Sequence, residues 1–176
     1  MTVTGPARIL LADCDQMFVA VARLVDPDGA GRASLLIVGG TATSRGVVCS
    51  ASYEARAFGV RSGMSIAQAV RRCPAATCVS VPRQACGQKS REVARALDQW
   101  APRVQAASID EFYLDLTGTE AVYRQEPLAR TAERIRASVF GATSLRLSIG
   151  GGTNRLVAKL AAERAKPRPG TEGTGV

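Results

Sequence analysis

The segment at residues 108–116 constrains the fold more than any other stretch of the chain. The side chains of Phe112, Leu114 and Leu116 alternate with more polar ones, and this two-residue period predicts a half-buried β-strand. Asp110 and Glu111 stand at its start. Consecutive strand side chains point to opposite faces, so both carboxylates reach one site only if the chain bends there.

The residues before the acid pair complete a predicted hairpin. Residues 103–107 form a second strand-like run, so the acids fall at the bend between two strands. The bend contains no Gly, Asn or Pro, so turn residues do not explain it. A local rule broken at a charged position is typical of a functional site, whereas the alternative is a solvated hairpin tip.

A further strand is predicted near the beginning of the chain. Residues 8–12 are a short apolar run that ends in Asp13, Cys14 and Asp15. Carboxylates therefore lie at the carboxyl end of this strand, where α/β sheets commonly place ligands. For Asp15 we favour a structural role, as the N-cap of a helix that begins at Met17.

The order of the remaining elements predicts the fold class. Residues 17–83 contain only short elements between turn signals, namely strands at 34–38 and 46–49 and helices at 52–58 and at 66–72 after a Ser65 cap. Longer elements follow: a helix at 84–100, the hairpin, a helix from Thr119 to 140, a strand at 145–149, and a helix capped by Thr153 with Leu156 and Leu160 inward.

Without the insertion at 17–83, this order is βαββαβ. It predicts an α+β fold with a ferredoxin-like sheet and helices on one face. Such a sheet would bring Asp13 to Asp110 and Glu111, although about a hundred residues separate them in the chain.

Charge and composition limit the function. Lys and Arg total 23 against 15 for Asp and Glu, and the net charge of +8 favours a polyanionic partner, with a merely basic protein as the alternative. The chain has no histidine, which excludes Ser-His and Cys-His catalysis and histidine metal sites.

An odd count of five cysteines without a CxxC pair predicts free thiols in a cytoplasmic protein. We find neither a signal peptide nor a long apolar run in the sequence, so no membrane span is predicted.

Three converging carboxylates without histidine suit hard divalent cations such as Mg²⁺. Two such ions can clamp an in-line nucleotidyl transfer. A triphosphate also needs donors, and Tyr53 and Arg56 are three residues apart on one face of a predicted helix. Lys159 lies on the last helix. Each cation taken alone is more simply a solvated surface charge, and only the joint pattern favours a site.

Together these motifs resemble the Y-family, translesion-type DNA polymerases, in particular their DNA polymerase IV-like branch. The resemblance covers nearly the whole chain and rests on segments in the family's order, at 13–18, 50–60, 107–115, 148–150, 159–162 and 165–167. Two departures concern the subbranch. Gln16 and Met17 replace an aromatic pair, and Ala22 and Arg23 replace a common acid.

The resemblance implies a domain layout and a set of roles. It implies a palm at 1–16 and 84–170, fingers at 17–83, and a loose tail at 171–176, with the thumb and the C-terminal DNA-binding domain absent. The implied ligands of two Mg²⁺ are Asp13, Asp110, Glu111 and the carbonyl of Cys14. The implied nucleotide contacts are Tyr53, Arg56 and Lys159, with Ser50 and Met17 beside them. Phe18 is the implied gate that excludes a ribose 2′-hydroxyl. Cys49 and Gly63 are implied to lie over the base pair.

The implied function is the catalytic core of a translesion DNA polymerase that joins a dNTP to a primer 3′-hydroxyl, acting weakly by itself. Its implied partners are primer–template DNA and dNTP, without a clamp contact. One alternative is a non-catalytic relative that binds DNA or a partner protein. Another is a different palm-like enzyme such as a nucleotide cyclase, against which Tyr53, Arg56 and Phe18 argue.

Overall fold

A computed structural model of the chain describes residues 7–167 and 173–176. In chain order its elements are β1 (Ile9–Cys14), α1 (Met17–Val25), β2 (Leu36–Val38), β3 (Ser50–Ala51), α2 (Tyr53–Ala57), α3 (Ile66–Arg72), β4 (Thr77–Val79), α4 (Arg83–Asp98), β5 (Arg103–Ala106), β6 (Glu111–Asp115), α5 (Leu128–Thr143), β7 (Leu147–Gly152) and α6 (Arg155–Ala165).

The described residues fall into two compact units. The first unit contains 7–15, 88–167 and 173–176, and the second contains 16–87. The assignment of these units to a palm and a fingers insertion stays a prediction. The parts of the predicted palm and tail at 1–6, 168–170 and 171–172 lie outside the described residues.

The sheet of the first unit has the strand order β5-β6-β1-β7, and each neighbouring pair is antiparallel. The predicted α+β class is confirmed. Helix α5 covers one face of the sheet. Its Leu128 side chain lies so near Gly151 of β7 that a Cβ on this glycine would be 3.0 Å from it. Helix α6 covers the other face, where Leu11 packs against Ala158 and Ala162. The sheet therefore carries helices on both faces, an arrangement that the βαββαβ pattern by itself did not include.

Helix α6 differs from the sequence prediction in the face that it buries. Leu156 and Leu160 are 69% and 58% exposed, whereas Ala158, Ala162 and Ala165 are buried. The reason is the close approach of the helix to β7: a Cβ on Gly150 would lie 2.0 Å from the backbone nitrogen of Ala162. Only small side chains fit between a helix and a strand at this separation.

In the described part of the second unit, β2 lies between β3 and β4, antiparallel to the first and parallel to the second. The apolar side chains of this unit form one cluster around Ile37 and Ile66 and another around Val19 and Leu36. The Ser65 hydroxyl accepts the Gln68 N–H at 3.2 Å, which confirms the predicted cap of α3.

Other predicted boundaries were wrong where tertiary contacts replaced local signals. Residues 46–49 are not a strand: Val47 forms an isolated bridge to Ser65, and the paired strand starts at Ser50. Helix α5 starts at Leu128 after Pro127, because the Thr119 hydroxyl bonds the Leu116 carbonyl and residues 119–125 form turns.

Two more differences concern the ends of α6 and of the chain. Asn154, not Thr153, caps α6, since its side chain accepts the Val157 N–H at 3.0 Å. The described part of the predicted loose tail is hydrogen-bonded to the end of α6 and to β7. Gly175 N–H donates to the Ala165 carbonyl, and Ile149 N–H donates to Gly175. Strand β7 is an edge strand, so its backbone groups are available to the tail.

Among the described residues, none of the helices combines the length and the apolar composition that crossing a membrane would require. The five cysteines are free thiols; Cys14, Cys73 and Cys86 are buried, and Cys49 and Cys78 are partly exposed.

Candidate active site

Three carboxylate residues meet at one end of the two inner strands of the first unit. Asp13 of β1 is the direct antiparallel partner of Glu111 of β6, and Cys14 N–H donates to the Asp110 carbonyl at 2.9 Å. The register of one strand pair therefore brings together acids that are far apart in the chain.

The bend that carries Asp110 and Glu111 is stabilised by Ser108. Its hydroxyl oxygen accepts the N–H groups of Asp110 and Glu111 at 3.3 and 3.1 Å, and it donates to a carboxylate oxygen of Asp110 at 2.5 Å. Sequence reasoning missed this role. A usable signal was present, because a serine can accept N–H groups two and three residues ahead and replace Gly or Asn in a turn.

Asp13 is a buried carboxylate with a lysine partner. Its side chain is 7% exposed, and its Oδ2 lies 2.7 Å from the Lys166 Nζ. Burial raises the pKa of Asp13 to about 6, with a further contribution from the charges of Asp110 and Glu111, while Lys166 opposes the shift. The acid is thus held in an environment that disfavours its charge unless a cation is close.

Glu111 pairs with the lysine that was predicted to contact phosphate. Lys159 Nζ lies 2.9 Å from both carboxylate oxygens of Glu111. This hydrogen bonding raises the pKa of Lys159, so its ammonium group is charged. The structure places Lys159 of α6 directly beside the acids of β1 and β6.

Cys14 and Asp15 follow Asp13 at the end of β1, and the structure shows a different environment for each. Asp15 accepts the Ser148 hydroxyl at 2.7 Å, and α1 is preceded by Gln16 in a left-handed conformation without a side-chain cap. The predicted capping role of Asp15 is therefore wrong. Burial, followed by the charges of Asp110 and Asp13, raises the pKa of Cys14, so its thiol stays neutral.

The remaining predicted residues lie in the second unit. On α2 the Arg56 guanidinium lies 5.7 Å from the centre of the Tyr53 ring, and its Nε donates to the Ala51 carbonyl at 2.9 Å. The predicted common face of Tyr53 and Arg56 is thus present. Ser50 is buried in β3.

The start of α1 and the loop near Gly63 hold the other predicted nucleotide contacts. Met17 is buried, while Phe18 is partly exposed and packs against the cluster around Val19 and Leu36. Gly63 has a φ of 84°, a left-handed conformation that favours glycine, and the Cys49 carbonyl accepts the Ser62 hydroxyl at 3.1 Å.

The three carboxylates suit a hard cation, but in this structure Lys166 contacts Asp13 and Lys159 contacts Glu111. In residues 7–167 and 173–176, no group of three His, Cys, Asp or Glu side chains is arranged as metal ligands. The acids at the strand ends offer oxygen atoms, which Mg²⁺ prefers. A cation would therefore have to replace the ammonium groups that now contact Asp13 and Glu111.

Comparison with known proteins gives consistent matches. The model of the impB/mucB/samB family matches residues 12–163. DNA polymerase IV of Dehalococcoides mccartyi is 35% identical over 160 residues, which cover 91% of this chain and 40% of that protein.

Two solved structures share the fold over 91% of this chain and 46% of their own chains. DinB from Sulfolobus solfataricus is 28% identical with a TM-score of 0.80. A Dbh DNA polymerase solved as an insertion ternary complex is 27% identical with a TM-score of 0.79.

The antiparallel sheet and the smaller α/β unit thus have the fold class of Y-family polymerase palms and fingers. The chain belongs to the impB/mucB/samB family. The resemblance predicted from the motifs is confirmed, and the chain spans less than half the length of the relatives named above.

Proposed function

We propose that the chain carries the catalytic core of a template-directed DNA polymerase that transfers a nucleotidyl group from a dNTP to a primer 3′-hydroxyl. The first unit would be its palm and the second its fingers. The observation that carries the proposal is the meeting of Asp13, Asp110 and Glu111 at the ends of two paired strands. The support from relatives is that one is named DNA polymerase IV and that another, a Dbh DNA polymerase, was solved as an insertion ternary complex.

Two Mg²⁺ would be held by the three carboxylates and by the backbone carbonyl of Cys14. Oxygen donors fit this ion, and the carbonyl of Cys14 would add a backbone oxygen to those of the carboxylates. When bound, the ions would favour ionisation of the attacking hydroxyl and stabilise the leaving pyrophosphate. The residues of this chain contribute the position of the acids, which the β1–β6 register sets.

The triphosphate would be bound by Tyr53, Arg56 and Lys159, with Ser50 beside them. Arg56 is suited to this because its Nε bond to the Ala51 carbonyl orients the guanidinium plane. Phe18 would exclude a ribose 2′-hydroxyl, with Met17 adjacent to it. The net charge of +8 supports binding of the polyanionic primer–template.

Primer extension with Mg²⁺ tests the proposal. We expect Asp110→Ala to reduce the extension rate by about a hundredfold or more, because a metal ligand is removed. Asp28→Ala is the matched control, since Asp28 is an acid 85% exposed in the second unit and should leave the rate unchanged. Equal product from the wild type and Asp110→Ala would refute the metal assignment.

Titration with a dNTP and Mg²⁺ separates the two leading functions. A polymerase core binds the dNTP in a manner that depends on Mg²⁺ and weakens in Asp110→Ala. Absence of dNTP binding by the wild type would instead support the non-catalytic accessory role.

The gate role of Phe18 has its own test. Phe18→Ala should raise incorporation of ribonucleotides relative to deoxyribonucleotides, because the ring no longer blocks the 2′-hydroxyl. Phe58→Ala is the control, since Phe58 is 55% exposed in the same unit. Unchanged sugar discrimination in Phe18→Ala would refute the role.

A further inference from the structure

A pocket around Trp100 lies in the first unit, at the end of the β5–β6 hairpin away from the acids. Arg103 starts β5 and pairs with Asp115 at the end of β6, and the acid pair lies at the other end of both strands. The pocket has a volume of about 600 Å³, and its lining includes Trp100, Val122, Tyr123, Arg124, Glu126 and Arg134. None of these residues has a part in the proposed function.

Two aromatic rings form one wall of the Trp100 pocket. The rings of Trp100 and Tyr123 are nearly parallel, with their centres 6.3 Å apart, and the Tyr123 hydroxyl donates to the Trp100 carbonyl. The guanidinium of Arg134 lies 5.2 Å from the centre of the Trp100 ring and donates to Glu126 at 3.0 Å. The wall is therefore held in place by contacts within the chain.

Two donors of the pocket have no partner in the described part of the chain. The Nε1 of Trp100 is buried and has no acceptor. The guanidinium of Arg124 makes no ion pair with any described carboxylate. A buried N–H without an acceptor is unfavourable, so a ligand that supplies a carbonyl or carboxylate oxygen here gains more than it would at the surface.

The loop beside the wall has an unusual backbone. Arg124 and Gln125 are consecutive and have φ values of 51° and 59°, a left-handed conformation that residues with a Cβ avoid. Such residues cluster at sites that hold ligands. Val122 of the same loop is 75% exposed. The loop thus presents an apolar side chain and a cation next to each other.

These groups suit a peptide better than a nucleic acid. A peptide backbone both donates and accepts, as Trp100 and Glu126 require, whereas a phosphodiester only accepts and is repelled by the Glu126 carboxylate. A stacked base needs a free aromatic face, but the Trp100 ring already contacts Tyr123 and Arg134. The uncompensated charge of Arg124 favours an acidic side chain.

We propose that the Trp100 pocket docks an acidic segment of a partner protein that also carries an apolar side chain. The apolar side chain packs on Val122 and the aromatic wall, and a carboxylate of the segment pairs with Arg124. The indole N–H donates to a backbone carbonyl of the segment once the Arg134 side chain, which is 49% exposed, shifts aside. The proposal goes beyond the proposed function and does not require the metal site.

Nuclear magnetic resonance of the indole N–H tests the proposal on the unaltered chain. The chain has one tryptophan, so the indole signal belongs to Trp100 without further assignment. The probes are three sets of short synthetic peptides: acidic with leucine or phenylalanine, acidic without apolar residues, and basic with leucine or phenylalanine. We expect the first set to move the signal downfield in a saturable way and the other two to bind about tenfold more weakly or less, since each lacks one attractive element.

Arg124→Gln tests the contribution of charge, with anisotropy of a dye-labelled peptide of the first set as the measurement. It should weaken binding about tenfold, because the partner of the peptide carboxylate is removed. Arg32→Gln is the matched control: it removes the same charge from an arginine 79% exposed in the second unit and should bind like the wild type. Both side chains are exposed, so the fold is expected to survive either change.

Several results would overturn the proposal. One is an indole signal that no peptide set moves, and another is equal binding of the acidic and basic sets that carry apolar residues. An equal loss of affinity in Arg124→Gln and Arg32→Gln would show that only net charge matters. If oligothymidylate moves the indole signal and the acidic peptides do not, the pocket binds single-stranded nucleic acid instead.

Discussion

The two compact units hold their proposed functional side chains by different means. In the first unit, strand register places Asp13 beside Glu111, and α6 lies so close to β7 that it buries alanines. In the second unit, the five-residue helix α2 carries Tyr53 and Arg56 and begins at the buried Ser52. The acids therefore depend on the register of paired strands, whereas Tyr53 and Arg56 depend on a short helix whose start is capped by the Ser52 hydroxyl.

The largest effect should come from Gly150→Ala in the first unit. The added Cβ would lie 2.0 Å from the Ala162 nitrogen and 2.3 Å from the Ala158 carbonyl oxygen. Backbone atoms cannot yield as a flexible side chain does, so we expect a loss of about 3 kcal/mol in the free energy of unfolding. Denaturant unfolding measures the loss, and hydrogen exchange should locate it at β7 and α6.

Gly141→Ala is the control for this substitution. Gly141 lies within α5, and no heavy atom would come within 4 Å of its added Cβ among the described neighbours. Alanine should stabilise the helix by about 0.5–1 kcal/mol. If Gly150→Ala were as harmless as Gly141→Ala, close packing would not be what positions α6.

The next effect should come from Ser52→Ala in the second unit. The Ser52 hydroxyl oxygen accepts the Leu36 and Ala55 N–H groups at 3.2 Å, and the hydroxyl donates to the Ser34 carbonyl at 2.8 Å. Its removal leaves buried polar groups unpaired, so we expect a loss of about 2 kcal/mol. Hydrogen exchange should show that the loss is confined to the second unit.

Ser65→Ala is the matched control, because Ser65 makes an exposed N-cap bond of the same kind. We expect it to cost about 1 kcal/mol. Equal losses from the two serine substitutions would show that Ser52 is only a cap and does not connect α2 to β2.

A smaller effect is expected on the outward face of α6. Leu160→Gln should change the free energy of unfolding by less than about 0.5 kcal/mol, because the side chain is 58% exposed. Thermal unfolding measures this. A large loss would mean that Leu160 is buried, as the sequence had predicted, and would contradict the close packing of α6 on β7.

The smallest effect concerns the loop at Asp26. Backbone N–H groups of Ala30 and Gly29 hold the pKa of Asp26 below its ordinary value of 3.8. The folded pKa is lower than the unfolded one, so the stabilisation is present above about pH 4 and is lost as the pH falls further. Unfolding at a series of pH values should show the wild type and Asp26→Asn converging in acid, and a constant difference would exclude this linkage.

Local patterns in the sequence were sufficient for much of the fold. The alternation at 112–116 predicted β6, and Ser65 predicted the start of α3. The order of elements predicted the α+β class, and the acids of the first unit could be named because they lie at the ends of predicted strands or at the bend between them. Each of these depends on neighbours within a few residues, which the sequence displays directly.

Other features depend on contacts that no local pattern contains. Leu156 and Leu160 have the spacing of a buried helix face, yet glycines of β7 let the helix approach until only alanines fit. Asp15 had the position of an N-cap, yet its carboxylate accepts a hydrogen bond from the Ser148 hydroxyl on a distant strand. In both cases a partner from a different element outweighed the local preference.

The sequence by itself determined the motif set, the strands of the first unit and most helices, and hence the family. Only the tertiary structure decided which charges face each other, because that depends on the β1–β6 register and on the packing of α6 against the sheet. Lys166 shows the difference: its sequence neighbours do not indicate Asp13, but the end of α6 places its ammonium group 2.7 Å from that carboxylate.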